Sequence, residues 1–197
     1  MPRPNVEAER REQILSAACV VLAEVGLQNL RLAQVAKAAG VSSGTIHYYF
    51  ETKQDVVSAA FEFNMSNSLE RRQSILASEQ NPLEMLQELV ESYLPADSRS
   101  LQAWRVWAEL WAEGMRLDPL QEVNERLYGQ WRDIVTDVLR AGQRQGLVKE
   151  GDPVRFANML VGMVDGLAMQ VLLHSPNMDL KNMRETCNAL IGLFAAR

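Results

Sequence analysis

Between Ser42 and Lys53 the chain gathers hydroxyls, an imidazole, phenols and an ammonium: Ser42, Ser43, Thr45, His47, Tyr48, Tyr49 and Lys53. Hydroxyl, imidazole, phenol and ammonium groups are hydrogen-bond donors and acceptors. Ile46 and Phe50 are apolar and four residues apart, which places both on the inward face of a short helix. Ser43, Gly44, Thr45, His47 and Tyr48 are left facing outward. Tyr48 and Tyr49 have core and DNA as alternative places, and DNA is the expected one, because two adjacent helical residues cannot both point inward where Ile46 and Phe50 already do. Donors and acceptors presented this way match base edges in a DNA major groove and phosphate oxygens beside it. Gly44, with no side chain, lets the start of such a helix approach DNA closely.

A second group lies further along. Trp104, Trp107 and Trp111 recur at three- and four-residue spacing and Met115 continues the stripe, so one helix face carries an indole wall. Such a wall is either core or a pocket for a flat or cationic ligand, since indole faces attract ammonium groups. Glu109 and Glu113 fall on other faces of that helix. Asp165 is the single charge between Asn158 and Leu173. A carboxylate in such a run must be paired, capped or turned toward a ligand.

Enzymatic chemistry finds little to work with. The histidines are His47 and His174, the cysteines Cys19 and Cys187 lie in separate apolar helical patterns, and neither a Glu-x-x-His repeat nor a phosphate loop occurs. The expectation is no enzyme, no metal, no cofactor and no disulfide. The net charge of -5 and pI near 5.2 exclude a protein that coats nucleic acid by charge alone. Six basic residues (Arg3, Arg10, Arg11, Arg31, Lys37, Lys53) balance six acidic ones (Glu7, Glu9, Glu12, Glu24, Glu51, Asp55) up to residue 55, so the deficit lies in 56–197. Any DNA contact is therefore local. The apolar stretch from Met159 to Leu173 is interrupted by Asp165 and too short for a membrane span, and no charged-then-apolar leader opens the chain, which points to a cytoplasmic protein.

Helical periodicity supplies the elements that hold these groups. Ile14, Leu15, Ala18, Leu22 and Val25 define a first helix from Val6 to Val25, closed by Gly26. A second covers about Leu32 to Ala39, burying Leu32, Val35 and Ala36 and ending at Gly40. Val41 plugs the corner of a tight turn, and Ser42 caps a third helix over Ser43 to Tyr49. A fourth opens near Thr52 and runs into the seventies. Further helices are predicted at 82–94, 97–115, 119–146, 153–174 and 179–196, with Pro82, Pro95, Pro119, Pro153 and Pro176 at or near their ends and Gly146 and Gly151 around a loop. No strand alternation competes, so the fold class is all-α with about nine helices.

The run from Leu32 to Phe50 resembles the TetR family of one-component bacterial repressors. Val35-Ala36, Ala39-Gly40-Val41-Ser42, Gly44, Ile46, Tyr49-Phe50 and Lys53 match the family signature in register. The resemblance is strong over about residues 8–60. It implies that Tyr49 and Lys53 meet phosphates. Arg31 stands where the family usually has a capping threonine, and His47 replaces a tyrosine beside the bases, which implies an unusual operator preference. More loosely, residues 100–197 resemble the choline-responsive betaine regulators of that family, through the aromatic middle helix, Asn124-Glu125-Arg126 and Asp165-Gly166-Leu167.

The resemblance implies residues 1–52 as a helix-turn-helix DNA-binding domain and 53–197 as an effector-binding and dimerisation domain. The function implied is that of a ligand-responsive repressor whose apo homodimer holds double-stranded operator DNA and releases it when a small-molecule effector binds. DNA contacts are expected from Arg31, Ser42, Ser43, Gly44, Thr45, His47, Tyr48, Tyr49 and Lys53. The effector pocket is expected at Trp104, Trp107, Trp111, Met115 and Asp165. The last two helices hold more apolar surface than one packed layer needs. In the family they pair with their copies, which assigns the dimer interface to Met159, Gly162, Met163, Gly166, Leu190, Leu193 and Phe194. Two alternatives are a helical DNA-binding regulator controlled by a protein partner, and a small helical enzyme.

Overall fold

The computed structural model describes residues 4–196, leaving Arg3 of the charge balance outside, and consists of α1 (Pro4–Asn29), α2 (Leu32–Ala38), α3 (Ser43–Tyr49), α4 (Lys53–Glu70), α5 (Gln73–Leu76), α6 (Pro82–Tyr93), α7 (Ser98–Gly114), α8 (Asp118–Arg144), α9 (Pro153–Leu172) and α10 (Leu180–Phe194). Among the described residues the only pairing of extended backbone is an isolated bridge between Val148 and Ala195. Helix starts follow their chemistry. Asn81, Asp152 and Asp179 each accept from a backbone N–H in the first turn of α6, α9 and α10, and Pro82 and Pro153 occupy positions where no N–H is needed.

The chain divides into two compact units, one of Met1–Leu69 and Gln102–Leu127, the other of Glu70–Leu101 and Tyr128–Arg197. In the first, α1 packs on α2 and α2 on α3. Its core includes Ile14, Leu15, Ala18 and Leu22 from α1, Val35 and Ala36 from α2, Ile46 from α3, and Val56, Val57, Ala60 and Phe61 from α4. In the second, α10 packs on α9 and α6, and α5 on α6.

Three expectations are corrected. The fourth helix stops at Glu70, and a turn leads into the short α5. The reason is Arg72, whose buried guanidinium lies 3.5 Å from the centre of the Tyr93 ring and donates to the Ser92 hydroxyl and carbonyl at 2.8 Å each. Leu32 and Val41 are half-buried, so the weight of the helix corner falls on Val35 and Ala36. Leu190 and Phe194, assigned to a face for a second copy, are 6% and 1% exposed, and Phe194 stacks on Phe156. Both belong to the core of the second unit.

Candidate functional site

The helix-turn-helix is built by local rules. Gly40 takes φ 63, a left-handed conformation that β-carbon-bearing residues resist, and this allows α3 to leave α2 at a steep angle. Ser42 Oγ accepts from Thr45 N–H at 3.0 Å, capping α3, and lies 2.9 Å from the Thr45 hydroxyl. Ile46 is fully buried and Phe50 nearly so, which turns the opposite side of α3 outward. Ser43, Gly44 and His47 are exposed, Tyr48 is 72% exposed, and Thr45 and Tyr49 are half-buried. Tyr49 meets Tyr48 edge to face, the ring centres 5.0 Å apart. A Cβ at Gly44 would meet only Ser42 Oγ at 3.6 Å, an ordinary contact, so nothing inside the protein requires glycine there.

Arg31, at the start of α2, is exposed and has no acceptor with which to cap the helix. Instead its own N–H donates to Gln34 Oε1 at 2.7 Å, half of a capping box. At α4 the box is complete: Asp55 N–H donates to Thr52 Oγ1 and Thr52 N–H to Asp55 Oδ2. Lys53 is half-buried and donates to the Leu27 carbonyl at 3.0 Å, so its ammonium is tied to the end of α1. Arg10 pairs with Gln13, and Arg11 lies over the Phe50 ring at 5.3 Å.

The tryptophan stripe divides by burial. Trp104 is 4% exposed and belongs to the core, while Trp107 and Trp111 are half-buried and Met115 is 75% exposed. Trp111 and Met115 line a cavity of about 420 Å³ with Leu110, Gly114, Gln121, Asn124 and Glu125. Trp111 Nε1 donates to Asn124 Oδ1 at 3.0 Å, which ties the indole to α8. Gln121 was missed by the sequence reading, although Asn124 and Glu125 lay in a motif it singled out. Their spacing against α7 depends on the α7–α8 turn.

Asp165 does not join this cavity. It lies in the second unit, where its Oδ2 accepts from the Tyr128 hydroxyl at 2.6 Å. Burial pushes the Asp165 carboxyl up to about 6, against the opposing pull of that hydrogen bond, and raises the Tyr128 hydroxyl above its usual range. The structural partner that a lone carboxylate demands is therefore present.

On α9 and α10, Met159 is 48% and Leu193 67% exposed, Gly162 and Gly166 are exposed, and Met163 is half-buried. A Cβ at Gly162, Gly166 or Gly192 would meet nothing within 4 Å. Each glycine costs a helix interior about 1 kcal/mol relative to alanine, with no return inside the chain. Among the described residues no helix is long and apolar enough to cross a membrane.

Comparison with known proteins matches this arrangement from both ends. Residues 14–60 match the family model for bacterial regulatory proteins of the tetR family, and residues 82–195 that for the BetI-type transcriptional repressor C-terminal domain. The chain is 32% identical over 201 aligned positions to the HTH-type transcriptional regulator BetI of Proteus mirabilis (strain HI4320), covering 98% of this chain and 95% of that one. It is 30% identical over 171 residues to the fatty acid metabolism regulator protein of Bacillus subtilis (strain 168), covering 85% and 86% respectively. Among solved structures, a transcriptional regulator from Saccharomonospora viridis in complex with choline superposes with a TM-score of 0.88 at 29% identity, covering 96% of this chain and 99% of that one.

Proposed function

The chain belongs to the TetR family of bacterial regulatory proteins, and from that premise we propose how this DNA-binding, ligand-responsive transcriptional repressor divides its work among its residues. Residues 1–52 form the DNA-reading head. Ser43, Gly44, Thr45, His47 and Tyr48 face the major groove, while Arg31, Ser42, Tyr49 and Lys53 fix its register on phosphates. The observation that carries this reading is the outward face of α3: polar, open, and bearing a glycine for which the protein itself has no use. Lys53 has donors to spare beyond the one given to Leu27, so a phosphate contact is compatible with its place.

Residues 53–197 hold the effector and the second copy. The effector enters the cavity between Trp111, Met115, Asn124 and Glu125. Its size suits a small molecule, and indole with carboxylate suits a positively charged or hydrogen-bonding head. Choline, seen in the Saccharomonospora viridis regulator, is the first compound to try. A second copy covers Met159, Gly162, Met163, Gly166 and Leu193, giving a homodimer whose two α3 helices read two half-sites in bacterial cytoplasmic DNA. The apo dimer holds the operator, and the occupied one favours a head spacing that does not fit it.

The test is binding at physiological salt to the duplex upstream of the protein's own gene and to an unrelated duplex of equal length. A preference of about a thousandfold is expected, abolished by a saturating effector. Equal weak binding to every duplex tried, including those from a random library, overturns the reading.

A further inference from the structure

We propose that Glu109 and Glu113 of α7 clasp the end of α1 and transmit the state of the Trp111 cavity to the helix-turn-helix. The proposal rests on the reading of that cavity as the effector site. Leu27 N–H donates to Glu109 Oε2 at 2.7 Å, and the Leu27 carbonyl accepts from Lys53 at 3.0 Å, so the backbone of one residue is held from two sides. On the next residue, Gln28 Nε2 donates to Glu113 Oε1 at 2.9 Å. Gly26 makes this possible. Its φ of 76 breaks the helical pattern and frees the Leu27 N–H, and the Glu109 carboxylate oxygens lie 3.1 and 3.2 Å from where a Cβ at Gly26 would sit.

The bond to Glu109 has a charged acceptor and a partly buried setting, which makes it stronger than a neutral backbone pair. It is placed where the head is attached, since α2 begins at Leu32 shortly after the clasped segment. The cavity wall is Leu110, Trp111, Gly114 and Met115, so wall and acid pair alternate along the same turns of α7. Residues of one hydrogen-bonded helix share any displacement, because the intervening backbone is rigid and close-packed. A ligand that wedges the end of α7 away from Gln121, Asn124 and Glu125 therefore carries Glu109 and Glu113 with it. The clasp passes that displacement to the α1–α2 link, and occupied and empty cavities favour different settings of the head.

The experiment fills the cavity without knowing the natural effector. Met115 is 75% exposed, while Cys19 and Cys187 are buried, so Met115→Cys can be labelled selectively with 2-(trimethylammonium)ethyl methanethiosulfonate. Affinity for a duplex selected from a random library is measured before and after labelling, in Met115→Cys alone and combined with Glu109→Ala or Glu109→Gln. Each labelled protein is referred to its own unlabelled form. Labelling is expected to weaken binding about tenfold in Met115→Cys, in the usual range of coupling between sites. Glu109→Ala should remove most of that change, and Glu109→Gln, which still offers an acceptor to Leu27, should restore it. A cap with only a structural role would shift stability and leave the label effect intact. An undiminished effect with Glu109→Ala overturns the clasp and leaves the cavity reading standing. No effect in Met115→Cys alone overturns the cavity reading and the transmission with it. Should Glu109→Ala bind no DNA, Glu113→Ala serves in its place, since it keeps the Leu27 bond. It should diminish the label effect, and an undiminished effect there also overturns the clasp.

Discussion

Asp165 shows what a single side chain contributes when its surroundings shift its proton affinity. Burial lifts its carboxyl from the usual 3.8 to about 6, so folding favours the protonated form. Stability from this group is fully present below about pH 4 and is lost as pH rises through 6, a loss on the order of 2–3 kcal/mol. Asp165→Asn keeps an acceptor for the Tyr128 hydroxyl and removes the charge. Its thermal midpoint should exceed that of the wild type at pH 7.5 and vary less between pH 4 and 7; identical pH profiles would contradict the account. Gly44 makes the opposite case, a residue that its surroundings within the protein do not require and that the proposed reading assigns to the DNA face. Gly44→Ala should leave the thermal midpoint unchanged or slightly raised and weaken operator binding about tenfold, a loss of about 1.4 kcal/mol. Binding that survives intact would remove Gly44 from the DNA face. The sequence disclosed Ser42, Ile46 and Phe50 because caps and helical faces are settled within a few residues. It did not disclose Tyr128 as the partner of Asp165, because a hydrogen bond spanning 37 residues is fixed by helix packing and leaves no local spacing to read.

Among the elements, helix ends marked by proline, glycine or a capping side chain fell within about two residues of where sequence placed them, as at α6, α9 and α10. The exceptions were the end of α1, which resumes past the break at Gly26 and runs to Asn29 instead of closing there, and the end of α4. There the break is made by a buried arginine on an aromatic face, and periodicity cannot reveal which charged residue goes inside. The same limit explains the divided fate of α10: Leu190, Leu193 and Phe194 read alike as apolar, yet only Leu193 remains open. The exposed residues of α9 and α10 include three glycines whose missing side chains no described residue replaces. Leu193→Glu places a charge on the exposed side of α10, in the proposed dimer interface, and should shift sedimentation at micromolar concentration from dimer to monomer, with the melting temperature little changed. A dimer of unaltered strength would move the interface elsewhere.

For the whole molecule, the acidic balance and the locally neutral start were readable from composition, and they led to the expectation of a local DNA contact. The cavity was readable only in part. Trp111 and Met115 showed as the end of a stripe whose other members, Trp104 and Trp107, do not line the cavity, whereas Asn124, Glu125 and Gln121 reach it through the turn between α7 and α8, whose geometry sequence spacing does not fix. The central claim, that a dimer reads DNA through the outward face of α3, is tested most directly by selecting duplexes from a random library with the wild type and with His47→Ala in parallel. The account predicts that the wild type enriches an inverted repeat with half-sites about one helical turn apart or a multiple of it, and that His47→Ala enriches a repeat altered at defined positions. A wild type that enriches no sequence, or two proteins that enrich the same one, would contradict it.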